Sequence, residues 1–284
     1  MKLAHQRLLP MLLLVASGAL HAQQYPSKPI RILVGFAAGG PTEVAARLVG
    51  QKLTEKWGQQ VLVEARPGAG GNIAGEAVAK AAPDGYTLLL PAFAHAVNPA
   101  LNSKMPFDTE KDFASVAMVA TSSNVLAVHP SVAANSLKEL IALAKSQPGK
   151  LTFGSAGNGT ASHLAGELLN SMAGIKITHV PYKGAAPASA DLIGGHISAA
   201  FPSVALALPQ IKAGKIRPIG VASLKRSDNL PGVPDAIVYY ALSRERPDES
   251  TGHCPDQWVI EITFAPDADR PGFCVRNSAS SRSR

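Results

Sequence analysis

The side chains best suited to chemistry in this chain are Ser155, His163 and Lys183, which could act as a nucleophile, a base and a helper. A catalytic serine needs a backbone device that presents it. The sequence has neither a Gly-x-Ser-x-Gly elbow nor a Ser-x-x-Lys pair at this position. Ser155 is better explained as a hydrogen-bond donor to a ligand or as a helix cap. We therefore expect no enzyme, and a serine hydrolase is the weaker alternative.

Two glycine-rich loops suggest a different chemistry, the binding of an anion by backbone N–H groups. In the first loop, 36–40, Gly39 and Gly40 allow a sharp turn and the close approach of a ligand. Pro41 suits the first position of a helix, and the free N–H groups of a helix start attract anions. The second loop, 154–160, precedes a similar helical pattern. Plain strand-to-helix turns without a ligand explain either loop equally well.

Nucleotide and metal sites are not expected. Gly68-x-Gly70 and Gly157-x-Gly159 lack the third glycine of a dinucleotide loop, and no Gly-Lys-Ser/Thr motif occurs. The central histidines lack metal-ligand spacing, so we predict no metal and no cofactor. Only His163 is placed where it could touch a solute. The histidines considered are His95, His129, His163, His179 and His196.

Composition and charge narrow the class of partner. Hydrophobic residues make up 46% and charged residues 17% of the 284 residues, as in a globular protein with little disorder. The net charge of +7 comes from Lys and Arg scattered along the chain, without a basic stripe interleaved with aromatics. A nucleic acid is therefore not expected, and a small anion fits better. Whether Cys254 pairs with Cys274 is left open.

The first 22 residues read as a signal peptide. Lys2 and Arg7 precede an apolar run over 8–20, and Ala22 offers a small residue for cleavage. The run is short for a membrane span. We expect export to the periplasm, with a buried N-terminal helix as the alternative.

The elements that position the two loops alternate between strand and helix, which predicts an α/β fold with mainly parallel sheets. The pattern changes around 112–130, where strand-like runs at 116–119 and 125–128 follow each other without a long helix between them. We place the first lobe at 23–124, the second at 125–222, and a return to the first lobe at 223–284. Hinges are expected near 125–128 and 219–223.

The order of several motifs identifies a family. The chain resembles the periplasmic solute-binding proteins of tripartite tricarboxylate transporters, the TctC or Bug family. The resemblance rests on the Gly39-Gly40 loop and on these segments, in the family's order: 25–31 (YPSKPIR), 64–71 (EARPGAGG), 82–87 (APDGYT), 155–159 (SAGNG), 163–167 (HLAGE), 179–184 (HVPYKG) and 230–234 (LPGVP).

This resemblance implies a type II periplasmic binding fold with two Rossmann-like lobes and a ligand cleft between them. It also implies a small carboxylate ligand, the membrane components of a transporter as partners, and a monomer. A receptor that feeds a sensor system is the alternative. The ligand-binding residues carried over are Phe36, Ala37, Ala38, Gly39, Thr42, Glu43, Ser155, Gly159, Thr160, His163, Tyr182 and Lys183.

Two of these residues have competing explanations. Glu43 either stabilises the helix start electrostatically or accepts a hydrogen bond from an amino or hydroxyl group of the ligand. Lys183 either offsets the ligand's charge or is simply solvated. The family usually has Pro-Pro before its two glycines and an Asp soon after, whereas this chain has Ala37-Ala38 and Glu43. The resemblance therefore leaves the individual ligand open.

The tail departs from the family from about residue 235. The family continues with an acidic turn, an aromatic strand and closing helices, but 235–284 shows no clear periodicity and ends in a run of Ser and Arg. We hypothesise that a reading-frame shift near Pro234 replaced the native C-terminus. Translating the alternative frame of the gene tests this, because a family-like ending is then expected there.

Overall fold

The computed structural model describes residues 25–222 and 227–234, which form an α/β fold with two sheets. The predicted signal peptide, the tail from 235 and both cysteines lie outside the described residues. The first sheet has three parallel strands in the order β2-β1-β3. Its elements are β1 (Ile30–Val34), α1 (Pro41–Trp57), β2 (Val61–Ala65), a short 3-10 turn (Ala69–Gly71), α2 (Asn72–Ala79), β3 (Thr87–Leu90) and α3 (Ala94–Leu101).

The second sheet has five strands in the order β6-β5-β7-β4-β8. Strand β4 runs antiparallel to β7 and β8, while β5 is parallel to β6 and β7. Its elements are β4 (Asn124–Val128), α4 (Leu137–Ser146), β5 (Thr152–Ser155), α5 (Ala161–Ala173), β6 (Thr178–Pro181), α6 (Ala185–Ile193), β7 (Ala199–Ala200), α7 (Val204–Lys212) and β8 (Arg217–Ala222).

The second sheet is buried on both faces. Phe153 of β5 is 1% exposed, and its ring packs edge-to-face on Phe201. Gly166 of α5 lets the helix lie directly on that ring, because a Cβ at this position would overlap the ring. Leu140 on one face and Leu192 on the other are fully buried. Two apolar clusters thus fix the strand ends from which the second glycine-rich loop leaves.

The first sheet is packed more thinly in the described part of the chain. Its apolar cluster has Ile32, Val34 and Ala46 as buried members, and every residue of β3 is half-exposed. The predicted strand at 116–119 is wrong, since this stretch has no regular secondary structure and pairs with no described strand, and Val116 is 85% exposed. An apolar alternation becomes a strand only when a neighbour accepts its backbone hydrogen bonds.

Helix starts follow the sequence in most places. Ser136 caps α4 by accepting a hydrogen bond from the Glu139 N–H, as the Ser-x-x-Glu spacing of a capping box predicts. Asn72 follows a glycine-rich loop and is a residue type that favours the N-cap, so the sequence predicts that it caps the next helix. It is instead the first residue of α2, and its side chain contacts Asn98 and Met105. Gly71 takes the capping position with a φ of 96°, which glycine adopts without strain.

Among the described residues, no helix combines the length and the apolar character needed to cross a membrane. The predicted hinge segments lie in two neighbouring strands. Residues 125–128 belong to β4 and residues 219–222 to β8, and these strands pair antiparallel in the second sheet. A hinge at these positions stays a prediction. The exposed segment 114–123 carries the chain from the first lobe to β4.

Candidate ligand site between the lobes

The first loop is held by a carboxylate of the chain itself. Glu43, in the first turn of α1, is 6% exposed, and its Oε2 accepts a hydrogen bond of 2.7 Å from the Gly39 N–H. Its other oxygen binds the Arg47 guanidinium. The Gly39 hydrogen bond, followed by the bond to Arg47, holds the pKa of the Glu43 carboxyl below its ordinary value. Glu43 therefore stabilises the loop and the helix start, the electrostatic explanation given above.

The rest of the first loop faces the second lobe. The Ala37 N–H donates a hydrogen bond of 2.8 Å to the Lys183 carbonyl. Ala38 and Gly39 are exposed beside this contact, whereas the Phe36 side chain is buried within the first lobe. Thr42 is half-buried in the first turn of α1. The loop thus offers backbone atoms, rather than its large side chain, to the other lobe.

Small residues on both sides allow this close approach. A Cβ added to Gly184 would lie 2.9 Å from the Ala37 nitrogen, so only glycine fits there. A Cβ on Gly39 would lie 3.5 Å from the Cβ of Ala186, which is in the first turn of α6. Loop 36–40 and the start of α6 are therefore in direct contact, and we call this contact the first seam.

A second seam joins the lobes at loop 68–71 and loop 157–159. A Cβ on Gly70 would lie 2.8 Å from the Asn158 carbonyl oxygen, and one on Gly159 would lie 2.7 Å from the Asn98 Oδ1. Asn98 is buried and donates to the Gly70 carbonyl and to the Asn72 side chain. Gly159 was predicted from the sequence, but Gly70 and Asn98 were not. Gly70 lies in a quoted motif, whereas nothing in the sequence singles out Asn98.

The second loop is closed by its own hydrogen bonds. Ser155, at the end of β5, is 1% exposed, and its Oγ accepts from the Gly157 N–H and lies 2.6 Å from the His179 Nε2. Thr160 caps α5 by accepting from the His163 N–H and donates to the Gly157 carbonyl at 2.6 Å. Ser155 and Thr160 therefore shape the loop from inside, and their hydroxyls are already engaged.

His163 also holds the loop. Its Nδ1 accepts a hydrogen bond of 3.2 Å from the Gly159 N–H, and its ring lies against the His179 ring with centroids 4.4 Å apart. His179 also stacks on Phe153. Burial, and then the charge of a protonated His163, lower the pKa of His179. The role of His179 was missed from the sequence, although it begins the quoted segment 179–184.

The third predicted segment contributes mainly backbone. The Tyr182 hydroxyl donates to the Asp191 carboxylate at 2.6 Å, and burial together with this bond raises its pKa to about 12. Tyr182 is thus engaged inside the second lobe. Lys183 is exposed, and its carbonyl is the acceptor for Ala37. The described residues give its ammonium group no ion-pair partner.

Two cavities lie beside the seams, each within one lobe and each of about 10 Å³, room for a single water molecule. The cavity in the second lobe lies under the starts of α5 and α6, with Ser155 and Ala185 in its wall. The cavity in the first lobe lies between Phe36 and His95. Where the cleft is expected, loops of the two lobes are in direct contact at both seams.

Comparisons with known proteins agree with the fold and the motifs. Residues 45–241 match the tripartite tricarboxylate transporter family receptor, TctC. The UPF0065 protein in the tcbD-tcbE intergenic region of Pseudomonas sp. strain P51 is 38% identical over 219 residues. That match covers 77% of this chain and 65% of the relative, so the chain spans less than two thirds of the relative's length.

Two solved structures are similar to this chain in overall fold. The structure of R. palustris Rpa4515 with adipate is 35% identical, with a TM-score of 0.71 over 75% of this chain and 71% of that one. The structure of MatC (Rpa3494) from Rhodopseudomonas palustris with bound malate is 31% identical, with a TM-score of 0.69 over 75% and 72%. With the likeness to the structure of periplasmic binding protein BugD and the family match over 45–241, they show a periplasmic binding fold, and the chain belongs to the tripartite tricarboxylate transporter receptor family, TctC.

Proposed function

We propose that this protein captures a small organic anion, a dicarboxylate, tricarboxylate or similar carboxylate, between its two lobes and presents it to the membrane components of a tripartite tricarboxylate-type transporter. The first seam carries the proposal, because there the glycine-rich loop of the first lobe meets residues 183–186 of the second lobe through backbone atoms and small residues. The neighbours with adipate and malate support a carboxylate as the ligand.

The seam also supplies donors for an anion. Within the described residues, the backbone N–H groups of Phe36, Ala38, Asn158 and Lys183 make no hydrogen bond to the protein. These groups belong to the three loops that meet at the seams. Backbone N–H groups bind carboxylates well because they need no side-chain ordering. An anion that bridges the loops would favour the closed arrangement over an open one.

A thermal-shift screen with carboxylates, amino acids and nicotinate-like acids tests the proposal. A ligand that binds only the folded protein raises the free energy of unfolding by RT ln(1 + [L]/Kd), about 2.7 kcal/mol at a hundredfold excess over Kd. We expect at least one di- or tricarboxylate to raise the melting temperature in proportion to the logarithm of its concentration. Folded protein that no panel member stabilises would contradict the proposal.

A wedge at the first seam tests whether closure is needed. Ala186→Leu places a large side chain opposite Gly39, where only 3.5 Å separates the Cβ positions, so the lobes cannot meet as they do here. Ala190→Leu is the matched control, since Ala190 lies on the same helix but is exposed. We expect calorimetry to show at least a tenfold weaker affinity for Ala186→Leu and an unchanged affinity for Ala190→Leu. Equal affinities would show that the seam is not the binding site.

The family match supports a proposal for the place of action and the partners. We propose a monomer that works in the periplasm after removal of residues 1–22, with lobe bounds at 23–124 and 125–222. A receptor for a sensor system is the alternative partner, since both uses need the same closure. Transporter genes or sensor-kinase genes beside this one would discriminate the two.

A hydrolase is the second candidate function, and one contact favours it. The Ser155 Oγ lies 2.6 Å from the His179 Nε2, the contact that a serine nucleophile makes with its base. Against it, Ser155 is 1% exposed and its oxygen also accepts from the Gly157 N–H. Turnover of ester or amide substrates that Ser155→Ala abolishes would establish a hydrolase, while absence of turnover across a panel leaves the binder.

A further inference from the structure

One cluster of metal-ligating side chains lies beside the second loop. His163 and Glu167 are four residues apart on α5, which places them on one face of the helix, and His179 comes from the adjacent strand β6. One ligating atom of each residue lies within 4.8 Å of the others. The sequence hid this cluster, because His179 is twelve residues beyond Glu167 and joins it only through the pairing of β5 with β6.

The chemistry of the three groups fits a borderline divalent metal ion. Two imidazoles and one carboxylate are a common ligand set for Zn²⁺, and the same nitrogen-rich set binds Ni²⁺ and Cu²⁺. Mg²⁺ and Ca²⁺ prefer oxygen ligands and waters, so this set does not suit them. Glu167 is exposed and His163 half-buried, so an ion can reach the cluster from solvent.

His179 is already oriented in the way that metal-binding histidines require. Its ring is fixed between Phe153 and His163, and its Nε2 contacts the Ser155 Oγ. If the Nε2–H donates to Ser155, the Nδ1 lone pair is free for a metal. A hydrogen bond on the far nitrogen is the usual support of a metal-bound histidine.

From this geometry we propose that His163, Glu167 and His179 form a site for a single Zn²⁺-like ion, with solvent or an added anion completing the coordination. The site does not depend on the identity of the organic ligand. The site does, however, include His163, which accepts a hydrogen bond from Gly159 of the second loop. Metal binding would therefore change the loop that the proposed function uses.

Metal binding must release the Gly159 N–H from His163. That N–H donates to the His163 Nδ1 at 3.2 Å. If the ion binds Nδ1, it occupies the same lone pair, and if it binds Nε2, the ring proton must move to Nδ1. Either way Gly159 loses its acceptor, so the second loop has one free N–H more when the ion is bound. The ion and the loop are therefore coupled, and the coupling is reciprocal.

Calorimetric titration with ZnCl₂, on tag-free full-length protein treated with a chelator, tests the site. His253, Cys254 and Cys274 can also take up Zn²⁺, so the assignment depends on variants rather than on stoichiometry. We expect Glu167→Ala and His179→Gln each to weaken one Zn²⁺ binding event at least tenfold. His196→Gln is the matched control, because His196 is an exposed histidine of the same lobe outside the cluster.

Because His179 is half-buried and stacks on Phe153, His179→Gln is first checked for a native circular dichroism spectrum. Glu167→Ala, at an exposed position, tests the site if His179→Gln does not fold. NMR then reads the coupling: the Gly159 amide resonance should shift with Zn²⁺ in the wild-type protein but not in Glu167→Ala. Zn²⁺ affinity unchanged in Glu167→Ala would overturn the site. Mg²⁺ binding as tight as Zn²⁺ binding at this cluster would overturn its chemistry.

Discussion

Each lobe carries a glycine-rich loop at the end of a strand, but the strand of the second lobe is packed in a much larger apolar cluster. In the second lobe, the loop leaves β5, whose Phe153 is buried between helices and sheet. In the first lobe, the corresponding loop leaves β1, whose sheet has three described strands and a smaller cluster of buried apolar residues. The chain compensates in the first lobe with a buried carboxylate, Glu43, that ties the loop to its own helix.

This difference teaches where stability and binding are decided. The second lobe fixes its loop by packing and by internal hydroxyl hydrogen bonds, so its shape should survive in the open protein. The first lobe fixes its loop by one charged hydrogen bond, and its sheet keeps half-exposed apolar residues. We expect the first lobe to unfold first and binding to depend on its loop being in place.

The largest effect is expected from truncating a core leucine of the second lobe. Leu140→Ala removes a fully buried side chain from the larger cluster and should lower the free energy of unfolding by about 2–5 kcal/mol. Leu88→Ala, in the half-exposed strand β3 of the first lobe, should cost roughly 1 kcal/mol because less area leaves the core. Urea unfolding measures both. A larger loss for Leu88→Ala would reverse the ranking of the lobes.

The next largest effect is expected when a helix glycine of the second lobe is replaced by alanine, compared with the same change in a helix of the first lobe. Gly166→Ala forces a methyl group into the Phe153 ring and should destabilise the protein by about 1–3 kcal/mol through overpacking. Gly50→Ala in α1 meets the side chains of Val61, at 3.2 Å, and Val63, at 3.6 Å, and gains about 1 kcal/mol of helix propensity, so it should be close to neutral. Thermal unfolding of both variants checks this, and equal losses would mean that the two helices pack alike.

A smaller, pH-dependent effect is expected at the first loop. Glu43→Gln should cost about 1–2 kcal/mol at pH 7 through the lost charged hydrogen bond to Gly39. Since the folded pKa of Glu43 is lowered, its contribution is complete above the ordinary glutamate pKa and is lost as pH falls through the lower folded value. The wild type and the variant should therefore converge in acid. A gap that persists unchanged there would show that charge is not the cause.

The smallest effect is expected in the segment that joins the lobes. Val116→Ser should change stability by less than about 0.5 kcal/mol, because Val116 is 85% exposed and surface changes of this kind are usually near neutral. Chemical denaturation of the variant beside the wild type measures it. A loss of a kilocalorie or more would show that this segment packs against something in solution.

The sequence predicted the fold well where local signals and tertiary structure agree. Strands β1, β2 and β5, the helix start at Pro41 and the Ser136 cap all follow from apolar runs and capping residues. It failed at 116–119, because a strand pattern says nothing about whether a partner strand is present. It also failed at Asn72, whose side chain is used across the lobe rather than in its own helix.

The candidate site was predicted at the level of loops, not atoms. Periodicity located the loop around Gly39 and the loop after Ser155, but the destinations of their polar atoms depend on folding. Only the structure shows that Glu43 turns back to Gly39 and that the Tyr182 hydroxyl reaches Asp191. The meeting of Ser155 with His179 depends on strand register, which no spacing in the sequence reveals.

The most direct test of joint binding by both lobes is an NMR titration of the isotope-labelled protein with a carboxylate that the thermal-shift screen selects. The amide resonances of Ala38 in the first loop and Asn158 in the second are followed together. Our account predicts that both shift and that both titrations give the same Kd. Shifts confined to one loop, or two different dissociation constants, would contradict a shared site.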